Sequence, residues 1–150
     1  MVHVAVVGPG EATQREVEVA FEVGRRLAEA GAVVVCGGLG GVMAAVCRGA
    51  RSARGMTVGI LPGTDRQTAN EWVVVSIPTG LGELRNGLVV RAADALLAVG
   101  GGYGTLSEVA LALKTGVPVV GIGTWEIDGV EAAGNSEEAV NRALALARTG

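Results

Sequence analysis

The chain has 150 residues, of which 49% are hydrophobic and only 3% aromatic, and its formal net charge is −3. This length most simply predicts one domain over residues 1–150, with a core built from Val, Ala and Leu. The slightly acidic balance, without a basic run, argues against nucleic acid as a partner. No apolar stretch approaches the ~18 residues of a membrane-spanning helix, so we expect a cytoplasmic protein without a membrane partner.

Short apolar runs alternate with helical patterns along the chain. The predicted elements are, in order, strand Val4–Val7, helix Thr13–Ala30, strand Val33–Cys36, helix Val42–Ala53, strands Thr57–Leu61 and Val73–Ile77, helix Leu81–Ala93, strand Ala95–Val99, helix Thr105–Thr115, strand Pro118–Ile122 and helix Ser136–Arg148. This alternation predicts βαβ units. The expected fold class is α/β, a single Rossmann-like, doubly wound domain with a mainly parallel sheet of about six strands. The loop Gly123–Gly134 is either a surface connection, which we favour, or a lid.

Three glycine turns each follow the end of a predicted strand. Ligands of doubly wound sheets bind at the carboxyl ends of strands, and a helix N-terminus at such a turn attracts phosphate. The predicted binding residues are Gly8, Pro9, Gly37, Gly38, Gly40, Gly41, Gly101, Gly102, Tyr103, Gly104 and Thr105, with Asn86 as a further candidate donor to the ligand. The pattern therefore predicts a site for a nucleotide or another phosphorylated small molecule.

Several better-known sites lack the residues that they need. No Gly-Lys-Ser/Thr sequence occurs, because Lys114 is the only lysine. Glu11 follows the first glycine turn, where its charge would oppose a pyrophosphate, and no acidic residue ends the second strand, so a dinucleotide site is not expected. One histidine offers little material for a metal site or a Ser-His-Asp triad. We interpret Cys36 and Cys47 as small core residues.

Two charged residues are candidates for chemistry. Thr105 and Glu108 have the spacing of a capping box, so Glu108 either caps its own helix or acts on a ligand by stabilising an oxocarbenium-like sugar or orienting water. Arg85 falls on an apolar stripe of the predicted helix Leu81–Ala93, so it should meet an anion there. That anion is either a structural partner, Asp94 or Glu108, or a ligand phosphate.

Taken together, these motifs resemble the lonely-guy (LOG) phosphoribohydrolases, historically mislabelled lysine decarboxylases, whose superfamily includes DprA-like proteins. Arg85 and the run Gly101-Gly102-Tyr103-Gly104-Thr105-Leu106-Ser107-Glu108 match that family's Arg-Lys and Pro-Gly-Gly-x-Gly-Thr-x-x-Glu pattern. The turn from Gly37 to Met43 is similar to its Gly-Gly-x-x-Gly-Leu-Met turn. Gly100 and Asn86 depart from it, replacing the motif proline and lysine.

The resemblance implies two alternative functions. In the hydrolases, the N-glycosidic bond of a nucleoside 5′-monophosphate is cleaved, with Glu108 and Arg85 as the corresponding catalytic residues and no cofactor required. This chain has Arg85-Asn86 and Gly100-Gly101-Gly102 at the two motifs. In these residues it is more similar to the molybdenum-cofactor carrier branch, which binds a phosphate-bearing pterin as cargo. We favour the carrier-type function, with the hydrolase as a close alternative. The resemblance also implies a homodimer or homotetramer.

Overall fold

A computed structural model of the protein describes residues 1–149. The strands are β1 His3–Val7, β2 Val33–Cys36, β3 Thr57–Leu61, β4 Val75–Pro78, β5 Ala95–Val99, β6 Val119–Ile122 and β7 Val130–Ala132. The α-helices are α1 Gln14–Glu29, α2 Val42–Ser52, α3 Asn86–Arg91, α4 Tyr103–Thr115 and α5 Ser136–Thr149. Short 3-10 helices span Arg66–Thr68 and Gly82–Arg85.

The strands form one parallel sheet in the order β4-β3-β2-β1-β5-β6-β7. On one side of β1 the strand numbers rise to β4, and on the other side β5 begins a second run, so the strand order reverses between β1 and β5. There Val4 pairs with Ala95 and Val7 with Ala98 in parallel register. The predicted α/β class and Rossmann-like parallel sheet are confirmed, with seven strands rather than six.

The extra strand is β7, which lies inside the predicted loop Gly123–Gly134 and pairs in parallel with β6. Its three residues are too few and too mixed in polarity to show a strand pattern. Most other predicted elements agree with the structure to within two residues at each end.

The predicted helix Leu81–Ala93 is wrong in detail. It is divided into the 3-10 helix Gly82–Arg85 and the shorter α3, because Gly80 and Gly82 both have positive φ values, 68° and 59°. A 3-10 turn has three residues per turn, so it shifts the phase of the side chains. The predicted apolar stripe is therefore not one buried face, since Leu81 is 47% and Leu88 41% exposed while Val89 is fully buried.

Helices cover both faces of the sheet. Buried residues of α1, α2 and α5 pack against Val4, Val6 and Val34 on one face, while α3 and α4 pack against Ala5 and Val7 on the other. Burial on both faces explains why the central strands are continuous apolar runs rather than alternating ones.

Helix α1 begins as the sequence predicts, and it packs very closely on α2. The Thr13 hydroxyl accepts a hydrogen bond from the Glu16 backbone N–H, and the Glu16 carboxylate accepts from the Thr13 N–H. A Cβ at Gly49 of α2 would lie 1.9 Å from the Phe21 carbonyl oxygen in α1. This crossing therefore requires glycine at position 49.

Both cysteines lie in the core, as predicted, fully buried with their sulfurs 3.4 Å apart. The hydrogen bond between them lowers the pKa of Cys36 and raises that of Cys47.

Among residues 1–149, no helix is both long and apolar enough to cross a lipid bilayer.

Candidate functional site

The candidate site lies where the strand order reverses, between the carboxyl ends of β1 and β5. This is the position at which doubly wound sheets bind ligands. A cleft of about 830 Å³ opens there. Nine of the predicted site residues line it, namely Gly8, Pro9, Arg85, Asn86, Gly102, Tyr103, Gly104, Thr105 and Glu108.

The glycine turn after β5 leads directly into α4. Gly100 has a φ of 70°, and a Cβ there would overlap the Glu16 carboxylate at 1.8 Å. Proline cannot adopt a positive φ, so the turn in this chain is incompatible with the proline of the related motif. The departure at position 100 thus has a backbone cause.

Helix α4 begins with an open first turn. Its N-cap residue is Gly102, which has no side chain to cap the first N–H groups. A Cβ at Gly102 or Gly104 would meet no atom within 4 Å, so a ligand can approach the backbone closely at both positions. The N–H groups at this helix end and the helix dipole favour an anion.

Glu108 does not cap its helix, so the capping-box interpretation of Thr105 and Glu108 is wrong. Helix α4 begins at Tyr103, two residues earlier than predicted, and this places both residues inside the helix. Their side chains are buried, with Thr105 3% and Glu108 7% exposed. Burial raises the pKa of Glu108 from 4.5 to about 7, against the opposing effect of the positive charge of Arg85. Near neutral pH this carboxyl group can both take up and release a proton.

Arg85 lies at the junction of the 3-10 helix and α3, half-buried beside the cleft. Its Nη1 donates to the Asn86 side-chain oxygen, and a Cβ at Gly37 would be 2.7 Å from its Nη2. Asn86, where the related motif has lysine, therefore contacts the guanidinium and lies beside the cleft.

No structural ion pair involves Arg85 within the described chain. None of the salt bridges among residues 1–149 includes it at 4.0 Å or less, and its buried Nε has no hydrogen-bond partner. Asp94, one of the two predicted partners, instead accepts from the His3 backbone N–H at 2.8 Å. Glu108, the other, forms neither a hydrogen bond nor a salt bridge with Arg85, and the charge of Arg85 lowers the pKa of Glu108 without such a contact. A half-buried guanidinium with an unused donor is suited to an anionic ligand.

Five predicted binding residues do not line the cleft, namely Gly37, Gly38, Gly40, Gly41 and Gly101. The turn after β2 supports the site from behind instead. A Cβ at Gly41 would lie 2.3 Å from the Pro9 carbonyl oxygen, which accepts a hydrogen bond from the Val42 N–H at 3.1 Å. The turns after β1 and β2 thus pack backbone against backbone, and this contact fixes the wall of the cleft.

Several lining residues escaped the sequence analysis. They are Gly10, Leu39, Met43, Pro62, Gly82, Glu83, Leu84 and Ser107. Met43 packs against the core, and its sulfur also faces the Gly37 turn. Gly10 belongs to the glycine turn after β1. The residues near Gly82 line the cleft only because the chain forms a 3-10 helix there.

Two aromatic rings lie beside the glycine turn. Tyr103 and Trp125 are stacked, with ring centroids 6.2 Å apart and an interplanar angle of 28°. The Trp125 indole N–H donates to the Gly102 carbonyl oxygen at 3.2 Å. No local sequence signal connects these two residues, because Trp125 comes from the loop after β6.

The fold and these motifs are those of the LOG-like superfamily, and comparison with known proteins identifies the family. The sequence profile of the SLOG cluster4 family matches residues 1–148, and the chain belongs to this family. An uncharacterised protein of Archaeoglobus fulgidus is 42% identical over 94% of this chain and 93% of its own length. A probable cytokinin riboside 5′-monophosphate phosphoribohydrolase of Oryza sativa is 30% identical over 75% of this chain and 52% of its own length.

Solved structures show the same relationship. The chain is similar to the molybdenum cofactor binding protein of Rippkaea orientalis, with a TM-score of 0.92, 35% identity and coverage of 97% of this chain and 96% of that one. It is also similar to the molybdenum cofactor carrier protein of Chlamydomonas reinhardtii, with a TM-score of 0.90, 34% identity and 97% coverage of both chains. DNA processing protein A of Helicobacter pylori shares the fold. Its TM-score is 0.76 at 21% identity, with coverage of 96% of this chain and 80% of that one.

Proposed function

We propose that this protein binds a phosphorylated small molecule, with the phosphate at the first turn of α4. The observation that carries the proposal is the open helix start at Gly102 and Gly104, which lines the same cleft as Arg85. Backbone N–H groups and the helix dipole supply the phosphate site, and the half-buried Arg85, which forms no salt bridge among residues 1–149, supplies a positive charge beside it. Residues 1–150 would form one binding unit.

We further propose that the ligand is molybdenum cofactor, held as cargo by a carrier-type protein. The similarity to two proteins named for binding or carrying this cofactor supports this assignment. The residues present fit such a ligand, because the cleft of about 830 Å³ lies within the range of small-molecule sites and its glycine-lined wall can accept a terminal phosphate. The cofactor would supply redox chemistry only after delivery to another enzyme, and Gly102, Gly104 and Arg85 would hold its phosphate.

One observation favours a second function, a phosphoribohydrolase acting on nucleoside 5′-monophosphates. Glu108 is not used as a helix cap, and its buried carboxyl group has a pKa of about 7. In its ionised form it would stabilise an oxocarbenium-like ribose as the N-glycosidic bond breaks. Water would then bond to C1′ and give a proton to the Glu108 carboxylate, while the departing base takes up a proton from the solvent, so that the products are free base and ribose 5-phosphate. The unpaired guanidinium of Arg85 would orient the substrate phosphate or the carboxylate.

Incubation with AMP and a cytokinin-type nucleotide, followed by chromatography for free base, separates the two functions. The carrier function predicts no free base, together with transfer of bound cofactor to an apo-molybdoenzyme. Base release that is lost in Glu108→Gln but kept in the control Glu83→Gln, which alters an exposed carboxylate at the same cleft, would establish the hydrolase instead. Failure of both assays would contradict both functions.

The remaining proposals concern partners and location. We propose a homodimer or homotetramer without nucleic acid or membrane partners, in the cytoplasm. Leu81, Leu84 and Leu88 support self-association, because they are 47%, 79% and 41% exposed, and exposed apolar side chains in a cluster are typical of interfaces. Light scattering after gel filtration should show an oligomer that Leu84→Glu dissociates. A monomeric parent protein would contradict this proposal.

A further inference from the structure

The distribution of aromatic residues is uneven. The chain contains only two tryptophans, one tyrosine and one phenylalanine, yet Tyr103 and Trp125 stack beside the candidate site. Tyr103 is 85% exposed, more than any other aromatic side chain among the exposed large apolar residues of the described chain. Aromatic rings contribute most when they are buried or stacked, so an exposed ring at a cleft calls for an explanation.

Trp125 packs against one side of the Tyr103 ring. Its indole N–H donates to the Gly102 carbonyl oxygen, and the indole nitrogen would be 3.2 Å from a Cβ at Gly101. The absence of a side chain at Gly101 therefore lets the indole lie against the glycine turn. The indole stacks on Tyr103 and is itself only 38% exposed.

The rest of the Tyr103 ring is open to a ligand, because this side chain is 85% exposed although Trp125 lies against it. Its neighbours Gly102 and Gly104 have no atom within 4 Å of a Cβ position, and all three residues line the cleft that contains Glu108. Within residues 1–149, the tyrosine hydroxyl has no hydrogen-bond partner. Neither packing nor a hydrogen bond on the exposed part of the ring explains a tyrosine at this position.

We propose that Tyr103, supported by Trp125, is a stacking platform for the planar heteroaromatic ring of the phosphorylated ligand. The proposal rests on the proposed phosphate site, and it assigns the ring of the same molecule to an adjacent place. Tyr103 is the first residue of α4, so its backbone lies at the phosphate site and its side chain at the ring site. The platform selects phosphorylated nucleosides and pterins over simple sugar phosphates, because any planar ring can stack on an aromatic face.

The test compares ligands that share ribose and phosphate but differ in the ring. AMP, GMP and ribose 5-phosphate are titrated into the full chain by calorimetry, with chromatography to verify that each nucleotide stays intact. We expect Tyr103→Ala to weaken AMP and GMP by roughly 10-fold, as expected for the loss of one base stack, while ribose 5-phosphate binds as before. Tyr103→Phe, which keeps the ring, should bind all three as the parent does, and Trp125→Ala should weaken the nucleotides only.

The other outcomes distinguish two failures. If none of the three compounds binds the parent protein, the proposed phosphate site is overturned, and the platform with it. If all three bind equally and Tyr103→Ala leaves every affinity unchanged, the platform alone is overturned. Loss of self-association in Tyr103→Ala, without a selective loss of nucleotide affinity, would overturn it in favour of a second copy of the chain covering this ring.

Discussion

The buried carboxyl group of Glu108 makes the stability of this protein depend on pH in a definite direction. Burial raises its pKa in the folded protein from 4.5 to about 7. Below about pH 4.5 the group is protonated in both the folded and the unfolded chain, so its ionisation costs no stability. As the pH rises from 4.5 to about 7, the unfolded chain releases this proton while the folded protein retains it, so the folded state is progressively destabilised, and the loss levels off above the folded pKa.

The size of this effect follows from the two pKa values. Each pKa unit corresponds to about 1.4 kcal/mol, so the difference between 4.5 and about 7 gives a loss of ~3 kcal/mol above pH 7. Glu108→Gln keeps the shape of the side chain and cannot ionise. The stability of Glu108→Gln relative to the parent protein should therefore increase by ~3 kcal/mol between pH 4.5 and pH 8.

Urea unfolding followed by circular dichroism at pH 4.5, 6, 7 and 8 measures this difference directly. Glu18→Gln is the matched control, because it removes one carboxylate from the exposed side of α1. A Glu108→Gln difference that is constant over this range, or that falls as the pH rises, would refute the assignment of a buried, destabilised carboxylate.

Three further substitutions test other parts of the structure. Arg85→Met removes the positive charge that lowers the pKa of Glu108. In an Arg85→Met background, the loss of stability that Glu108→Gln abolishes should therefore continue to a higher pH than in the parent protein. An unchanged pH range would show that the two charges do not interact. Gly100→Ala forces a side chain into a φ of 70° and against a carboxylate, and it should cost at least ~1 kcal/mol in urea unfolding and weaken phosphate binding. Gly49→Ala should destabilise the protein by ~1–3 kcal/mol, because the added methyl group overpacks the α1–α2 crossing. The control is Gly87→Ala in α3, where a methyl group has open space, and it should be neutral or stabilising by up to ~1 kcal/mol. Equal effects at the two positions would contradict the close helix contact.

The position of the cleft follows from the sequence, because that position depends on periodicity and turns. Apolar runs ending in glycine place the turns after β1 and β5 at the carboxyl edge of the sheet, and the reversal of strand order brings these two turns together. The start of α4 was misplaced because Thr105 has the residue type of an N-cap, whereas glycine at position 102 serves that role without a side chain. This shift of two residues decides whether Glu108 caps the helix or lies buried.

Contacts between distant segments could not be predicted in the same way. The 3-10 helix Gly82–Arg85 depends on left-handed glycines that a helical pattern does not reveal. The stack of Tyr103 on Trp125 depends on the path of the loop after β6. Arg85 and Glu108, which line the cleft, can therefore be named as candidates from the sequence, whereas much of the cleft wall cannot.

Amide chemical shifts during titration with ribose 5-phosphate test the central claim most directly. The proposed site predicts that the largest backbone ¹H–¹⁵N shifts occur at Gly102, Gly104 and Thr105, with a further shift of the Arg85 side-chain Nε–H. In Arg85→Met the ligand concentration that gives half of the full backbone shift should be higher than in the parent protein. The control Arg91→Met alters an exposed arginine of α3 outside the cleft, and its titration should match that of the parent. Shifts centred on the start of α2, or no shift at the start of α4 at saturating ligand, would contradict the phosphate site.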